Sequence, residues 1–262
     1  MPVGYIGSIS GGSQLRRAAP LSGELVFDVS ADFMLNLLIP QVVYKTELTK
    51  VGFSSTFYLP VDRRGVNGSA QPGNGSSFSS VGLADVWFSP VTVGIRFSEN
   101  NNLALDTKIF APTGPYKPGD LSNLGMNAWT IQPNVAHTYL WKKCGLEIDN
   151  YVGFDIYSQN RTIRYTSDTV FHWDGMLFQY LSERGGFGAI LSNITQINRD
   201  SGPLADQLNG FQGGAWGAGP IVMYAVKAKN PGLVFQFRWI PEFAVTKMLK
   251  GSTLLLGLTF QM

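Results

Sequence analysis

The sequence predicts an all-β protein, a closed antiparallel transmembrane β-barrel of about twelve strands with short periplasmic turns and long external loops. Three observations carry this. Segments of two-residue alternation recur along the chain, no stretch approaches the ~18–20 consecutive apolar residues of a membrane helix, and short connections alternate with long ones. A membrane-spanning chain without such helices must cross as strands, because a bilayer leaves no other way to satisfy backbone polar groups.

The clearest alternation is GLEIDNYVGFDIY, beginning at Gly145. Leu146, Ile148, Val152, Phe154 and Ile156 share one face, and Glu147, Asp149, Tyr151, Asp155 and Tyr157 the other, which is the period of a strand. A large aliphatic face opposite three carboxylates reads as lipid outside and water inside. Residues 127–141 repeat the pattern, with Trp129, Ile131, Val135, Tyr139 and Trp141 against Thr130, Gln132, Asn134 and Thr138. Residues 102–112, 168–181 and 232–243 follow it too. Each is about the 9–11 residues or more that a tilted strand needs to cross a bilayer. Trp129, Tyr139, Trp141, Trp216, Tyr224 and Trp239 suit interfacial girdles. Residues 83–97 change phase near Ser89–Pro90, which predicts a bulge, and residues 33–44 are apolar on both faces.

Composition agrees. Of 262 residues only 15% are charged, against roughly 25% in soluble proteins, while aromatics reach 13% and glycines number 30. A net charge of +2 with scattered basic residues gives no nucleic-acid footprint. One cysteine, Cys144, and two separated histidines offer neither an intramolecular disulfide nor metal-ligand spacing, and no cofactor is implied.

Connections set the topology. Tight links at 46–48, 99–101, 142–144, 182–185 and 229–231 alternate with long ones at 61–80, 113–126, 158–167, 199–213 and 246–251. With both termini periplasmic, eleven strands from Phe33 onward require a twelfth, expected at residues 24–28. Residues 1–20 are expected to be a flexible segment and a candidate lumen plug, with the barrel spanning 21–262. MPVGYIGSISGG has no basic start, long apolar core or cleavage site, so an export signal is expected to be removed or to lie outside this sequence. At the other end, STLLLGLTFQM puts Leu254, Leu256, Leu258, Phe260 and Met262 on one face. This resembles the C-terminal signal of outer-membrane proteins, with Met262 in place of the usual aromatic, and makes the barrel-assembly machinery an expected partner beside outer-membrane lipid.

Seven segments in order then resemble a known group, the outer-membrane transporter-like proteins of the meta-pathway phenol degradation family. They are GLADVWFSP from Gly82, APTGPY from Ala111, NLGMNAWTIQP from Asn123, VFHWD from Val170, RDSG from Arg199, GAGP from Gly217 and FRWIPEF from Phe237. The resemblance covers roughly residues 82–262. It implies a location in the bacterial outer membrane and passive, substrate-selective uptake of small aromatic or other apolar molecules. A more distant similarity to hydrocarbon uptake channels brings the idea of lateral release through the barrel wall.

Parity places a polar set inward: Asp85, Asp106, Lys108, Glu147, Asp149, His172, Asp174, Gln196, Arg238 and Glu242. Asp85, Asp106, Lys108, Glu147, Asp149, Arg238 and Glu242 form an expected lumen charge network, with Lys108 and Arg238 the natural partners of the carboxylates. Tyr58, Trp87, Phe110, Tyr151, Phe178 and Tyr180 face the same side. An aromatic lining with a few polar anchors suits a small apolar ligand, so Tyr58, Trp87, Phe110, His172, Asp174 and Phe178 are the expected substrate passage.

An enzymatic reading of His172 with Asp174 lacks support. Two residues apart on a strand, both point inward, and no GxSxG motif or metal cluster accompanies them. His137 falls on the apolar face near a periplasmic turn. The glycine-rich GNGSS and GGFGA lack the strand–loop–helix context of a phosphate cradle. No catalytic residue is assigned. The alternatives are a general diffusion porin and a structural or lipolytic outer-membrane barrel.

Overall fold

Alternating strands bury their polar edges only by pairing on both sides, and the chain achieves this by closing on itself. The computed structural model describes residues 2–18, 26–71, 75–207, 210, 212–226 and 232–261, with backbone and pairing alone for 2–18, 26–28, 69–71, 207 and 261. The strands are β1 (Pro2–Ala18), β2 (Val26–Tyr44), β3 (Val51–Gln71), β4 (Ser76–Leu83), β5 (Trp87–Ser98), β6 (Asn101–Phe110) and β7 (Thr130–Trp141). They continue with β8 (Leu146–Tyr157), β9 (Val170–Ser182), β10 (Gly185–Gln196), β11 (Gly214–Val226), β12 (Leu233–Thr246) and β13 (Gly251–Gln261), with one helical turn, α1 (Pro203–Gln207), between β10 and β11.

All pairings are antiparallel, between chain neighbours except for β3 with β5 and the closing pair, and β1 joins β13 to β2, so the sheet closes. Twelve positions make the ring, because β4 and β5 share one: the first part of β3 pairs with β5 and its outer part with β4. The expected external loop at 61–80 is therefore largely a β-hairpin, in which Val61 to Gly68 face Leu83 to Ser76. Its alternating small polar residues pair outside the bilayer, where no apolar face is needed to mark a strand.

The N-terminal expectation is corrected. Residues 2–18 are β1 rather than a flexible plug, in register from Val3↔Gln261 to Ser13↔Gly251 on one side and from Pro2↔Val42 to Ala18↔Val26 on the other. Without it β2 and β13 would present unpaired edges to lipid. The glycine- and serine-rich sequence hid this strand, since it carries little hydrophobic alternation. Of the expected strand at 24–28, Val26 onward begins β2, while 24–25 lie outside the described residues, as do the expected turn residues 229–231.

Side chains sort as the alternation requires. Ile131, Val135, Phe154, Ile156, Leu177, Phe187, Val222, Phe235 and Leu256 are exposed around the outside. The core lies within the ring: Leu37, Phe178, Ile190 and Ile221 are buried there. At the short-turn end Tyr139 and Trp141 form an edge-on pair with ring centroids 4.6 Å apart, the girdle expected at a headgroup boundary. His137 lies beside this turn, 3.0 Å from Asn101 Oδ1.

The predicted bulge is present. Register slips between Phe88 and Thr92 on the β6 side of β5, and between Ser54 and Thr56 on its β3 side. Pro90 has no N–H to give to a ladder, and its carbonyl instead accepts the Ser55 hydroxyl.

Candidate functional site: a layered lumen

Three inward layers follow one another along β3 and β5–β9. Nearest the external end, Tyr58, Trp87 and Phe110 stack side by side across β3, β5 and β6. Their centroids are 5.2 and 5.0 Å apart and their planes tilted by 17° and 24°. Offset stacking of this kind contributes about 0.5–1.5 kcal/mol per pair beyond area burial.

The middle layer is polar. Neighbouring strands align Asp106, Asn134, Gly153 and His172 in one row. Ser89 Oγ donates to Asp106 at 2.9 Å, and Gln132 Nε2 donates to Asp155 at 2.5 Å. The His172 ring stacks on Tyr151 at 5.5 Å. Lys108 joins this layer to the aromatic one: Nζ donates to the Tyr151 hydroxyl and lies 4.8 Å from the Tyr151 centroid and 6.0 Å from that of Tyr58.

Gly153 is required here. A Cβ on it would meet His172 Nε2 at 2.6 Å and collide with Asn134 Oδ1. Glycine inside a strand often marks such a close approach.

The third layer is small. Gly52, Gly94, Ala104 and Ala136 stand in one row across β3, β5, β6 and β7. They line a cavity of about 430 Å³ that reaches Lys50 at the β2–β3 turn and Thr138 on β7. Further round, Phe178 is fully buried and packs edge-on against Tyr180 with centroids 4.9 Å apart. Tyr180 donates to Glu147 at 3.3 Å, and Thr138 to Asp149.

The opposite wall is mostly aliphatic, with Arg238 of β12 between Ile221 and Leu255 in register. Register puts Ile190 of β10, Ile221 of β11 and Leu255 of β13 on the inward parity, beside Leu35 and Leu37 of β2. The lumen therefore has a polar, aromatic side and a mostly aliphatic side that carries one buried guanidinium.

Several expected members of the charge network stand elsewhere. Asp85 sits at the external end, where its two carboxylate oxygens accept the N–H of Gly114 at 2.8 Å and of Met126 at 2.7 Å. This ties the loop at 111–129 down where Gly114 and Gly125 backbones touch. Glu242 likewise accepts the Gly251 N–H at 2.7 Å. Gln196 donates to Asp200, which also takes the Tyr165 hydroxyl and the Asp168 N–H. Burial and then the Asp200 carboxylate push the Tyr165 hydroxyl above its ordinary range. Lys108 meets a phenol rather than a carboxylate, and Arg238 Nε is buried without a hydrogen-bond partner among the described residues. Strand ends drew these carboxylates to free backbone N–H groups, which parity alone does not foresee.

Asn134, Gln132, Asp155, Ser89 and Gly153 were not singled out from the sequence. Alternation already placed Gln132, Asn134 and Asp155 on the polar face. Their register partners were missing.

The family described as the MetA-pathway of phenol degradation matches residues 18–258. The chain belongs to this family. Among solved structures, the chain is similar to an outer membrane channel from Pseudomonas putida F1, with TM-score 0.74 and 18% identity over 99% of this chain and 94% of that one. It is also similar to a Pseudomonas aeruginosa FadL homologue, with TM-score 0.57 and 8% identity over 99% and 90% of the two chains. No curated protein matches at a significant level. These likenesses agree with the fold of this member of the phenol-degradation family, a closed antiparallel β-barrel.

Proposed function

We propose that the barrel is a passive, substrate-selective outer-membrane channel for small aromatic or otherwise apolar molecules. The observation that carries this reading is the sequence of layers: the Tyr58–Trp87–Phe110 stack leads past His172 to the small-residue cavity at the periplasmic end. Flat aromatic faces receive an apolar ring, and glycine and alanine leave it room to leave. The Pseudomonas putida F1 structure being an outer membrane channel supports the same reading, as does the phenol-degradation family itself. A general porin is disfavoured, since such barrels usually carry sixteen to eighteen strands around an open water channel, whereas here Phe178, Ile190 and Ile221 fill the interior.

A lateral exit is a second reading. On the lipid side at the height of the bulge, Val91, Leu105, Pro133, Val135, Val152 and Phe154 outline a groove of about 530 Å³. Pairing between β7 and β8 skips from Ile131↔Ile156 to Asn134↔Gly153 at this point.

Uptake of a radiolabelled monoaromatic compound by cells expressing the barrel tests the channel. Uptake should fall when Trp87, Phe110 and His172 are together replaced by alanine, and unchanged uptake would refute the assigned passage. A disulfide engineered between β7 and β8 beside the groove should slow uptake only if exit is lateral.

A further inference from the structure

Accepting the passage reading, we infer that Asn134 and His172 form a seat for a hydrogen-bond donor, so that the channel favours small apolar guests bearing a hydroxyl or ammonium over those bearing a carboxylate. Asn134 is only 4% exposed. Its Nδ2 donates to the Gln132 carbonyl at 2.8 Å, which fixes the amide so that Oδ1 turns toward Gly153. There Oδ1 has no hydrogen-bond partner among the described residues, and neither does the buried Nε2 of His172, which crowds the same point above Gly153. Two orphaned polar atoms converge on the one place in the row that lacks a side chain. A buried polar atom left unpaired costs about 1–3 kcal/mol, so a guest that parts the two crowded side chains and satisfies it recovers that cost.

The chemistry of the seat selects the guest. An amide oxygen can only accept, and imidazole Nε2 accepts in the tautomer that carries its proton on Nδ1. Around them stand further acceptors: Asp106 opposite Asn134 on β6, Asp155 two residues beyond Gly153 on β8, and Asp174 two residues beyond His172 on β9. The local cation, Lys108, is engaged with the Tyr151 hydroxyl. A hydroxyl or ammonium finds acceptors here, while a carboxylate finds lone pairs and like charge. The aromatic stack on the external side and the aliphatic wall receive the rest of the molecule.

Saturation-transfer NMR on the refolded barrel in lipid nanodiscs tests this with benzyl alcohol, benzylammonium and benzoate, whose rings are alike. Asn134→Val removes the acceptor at nearly constant volume, and Gly153→Ala puts a methyl where Asn134 Oδ1 and His172 Nε2 now meet; retained heat-modifiable gel mobility checks that each variant is folded. Affinity for benzyl alcohol and benzylammonium should fall about fivefold or more in either folded variant, the loss expected for one hydrogen bond, with benzoate weak in all forms. Wild-type binding of benzoate equal to that of benzylammonium overturns the seat, as do alcohol and ammonium affinities unchanged in the folded variants. Uptake in cells is scored separately. Uptake that persists while the variants bind like wild type overturns the seat and spares the passage, whereas lost uptake with seat selectivity intact does the reverse.

Discussion

The ammonium of Lys108 donates to the hydroxyl of Tyr151 and lies 4.8 Å from its ring centroid, on strands separated by β7. This contact spans two strand positions and connects the aromatic stack to the polar row. It also holds a positive charge beside Asp106 and Asp155, where carboxylates would otherwise stand in a confined space without a nearby counter-charge.

Tyr151→Phe should therefore destabilise the barrel by about 1–3 kcal/mol, the cost of leaving a buried donor unmet. Lys108→Met removes the same hydrogen bond and the positive charge near Asp106 and Asp155 together, and should cost more than Tyr151→Phe does. Urea unfolding in lipid vesicles followed by tryptophan fluorescence gives both values, and equal effects of the two changes would show that the charge contributes nothing beyond the hydrogen bond.

The small-residue row makes a different forecast. Leucine at Gly94 or Ala104 would project into the 430 Å³ cavity without touching the outer face. Single-channel conductance should drop severalfold while strand content by circular dichroism stays constant. Undiminished conductance would place the route elsewhere.

Asp85 anchors the external loop through two charge-assisted hydrogen bonds to Gly114 and Met126. Asp85→Ala leaves both N–H groups unmet, at about 1.5–3 kcal/mol for each bond to a charged acceptor. Hydrogen exchange at residues 112–126 should rise by at least tenfold, with the exchange of β9 and β10 unaltered.

Asp120 supplies a pH test. The backbone N–H of Ser122, then its hydroxyl, hold the Asp120 carboxyl below its ordinary range. A carboxyl depressed in the folded state contributes order that is present above its unfolded value and lost as pH falls through the folded one. The Ser122 amide should thus stay protected from neutral pH down through the ordinary carboxylate range and loosen only below it. Loosening at a higher pH would assign the protection to another group.

Lipid exposure can be checked at Val135, which is 43% exposed on the outer face of β7. Val135→Arg should cost about 2–4 kcal/mol if it lies near the bilayer midplane, measured by the same unfolding assay, while Asn102→Arg on the inward parity should cost far less.

Much of the fold was legible because a membrane barrel writes its outside into every second residue. Leu146, Ile148, Val152, Phe154 and Ile156 announced β8, and Pro90 announced the bulge. β1 was illegible for the converse reason: glycine and serine carry no such signal, and its place is imposed by the edges of β2 and β13. The site divides similarly. Parity turned Trp87, Phe110, Lys108 and His172 inward, but could not say that Asp85 and Glu242 would be taken up by loop N–H groups.

By itself, then, the sequence determined which face of each strand meets lipid and which meets the lumen, because that choice depends only on a two-residue period within one segment. What only the tertiary structure decided is height. Whether Asn134 stands beside Gly153 or one pleat away depends on register between strands, set by the turns and by the bulge at Pro90. Those long-range offsets bring an orphaned amide oxygen and an imidazole together over a glycine, and no local pattern records them.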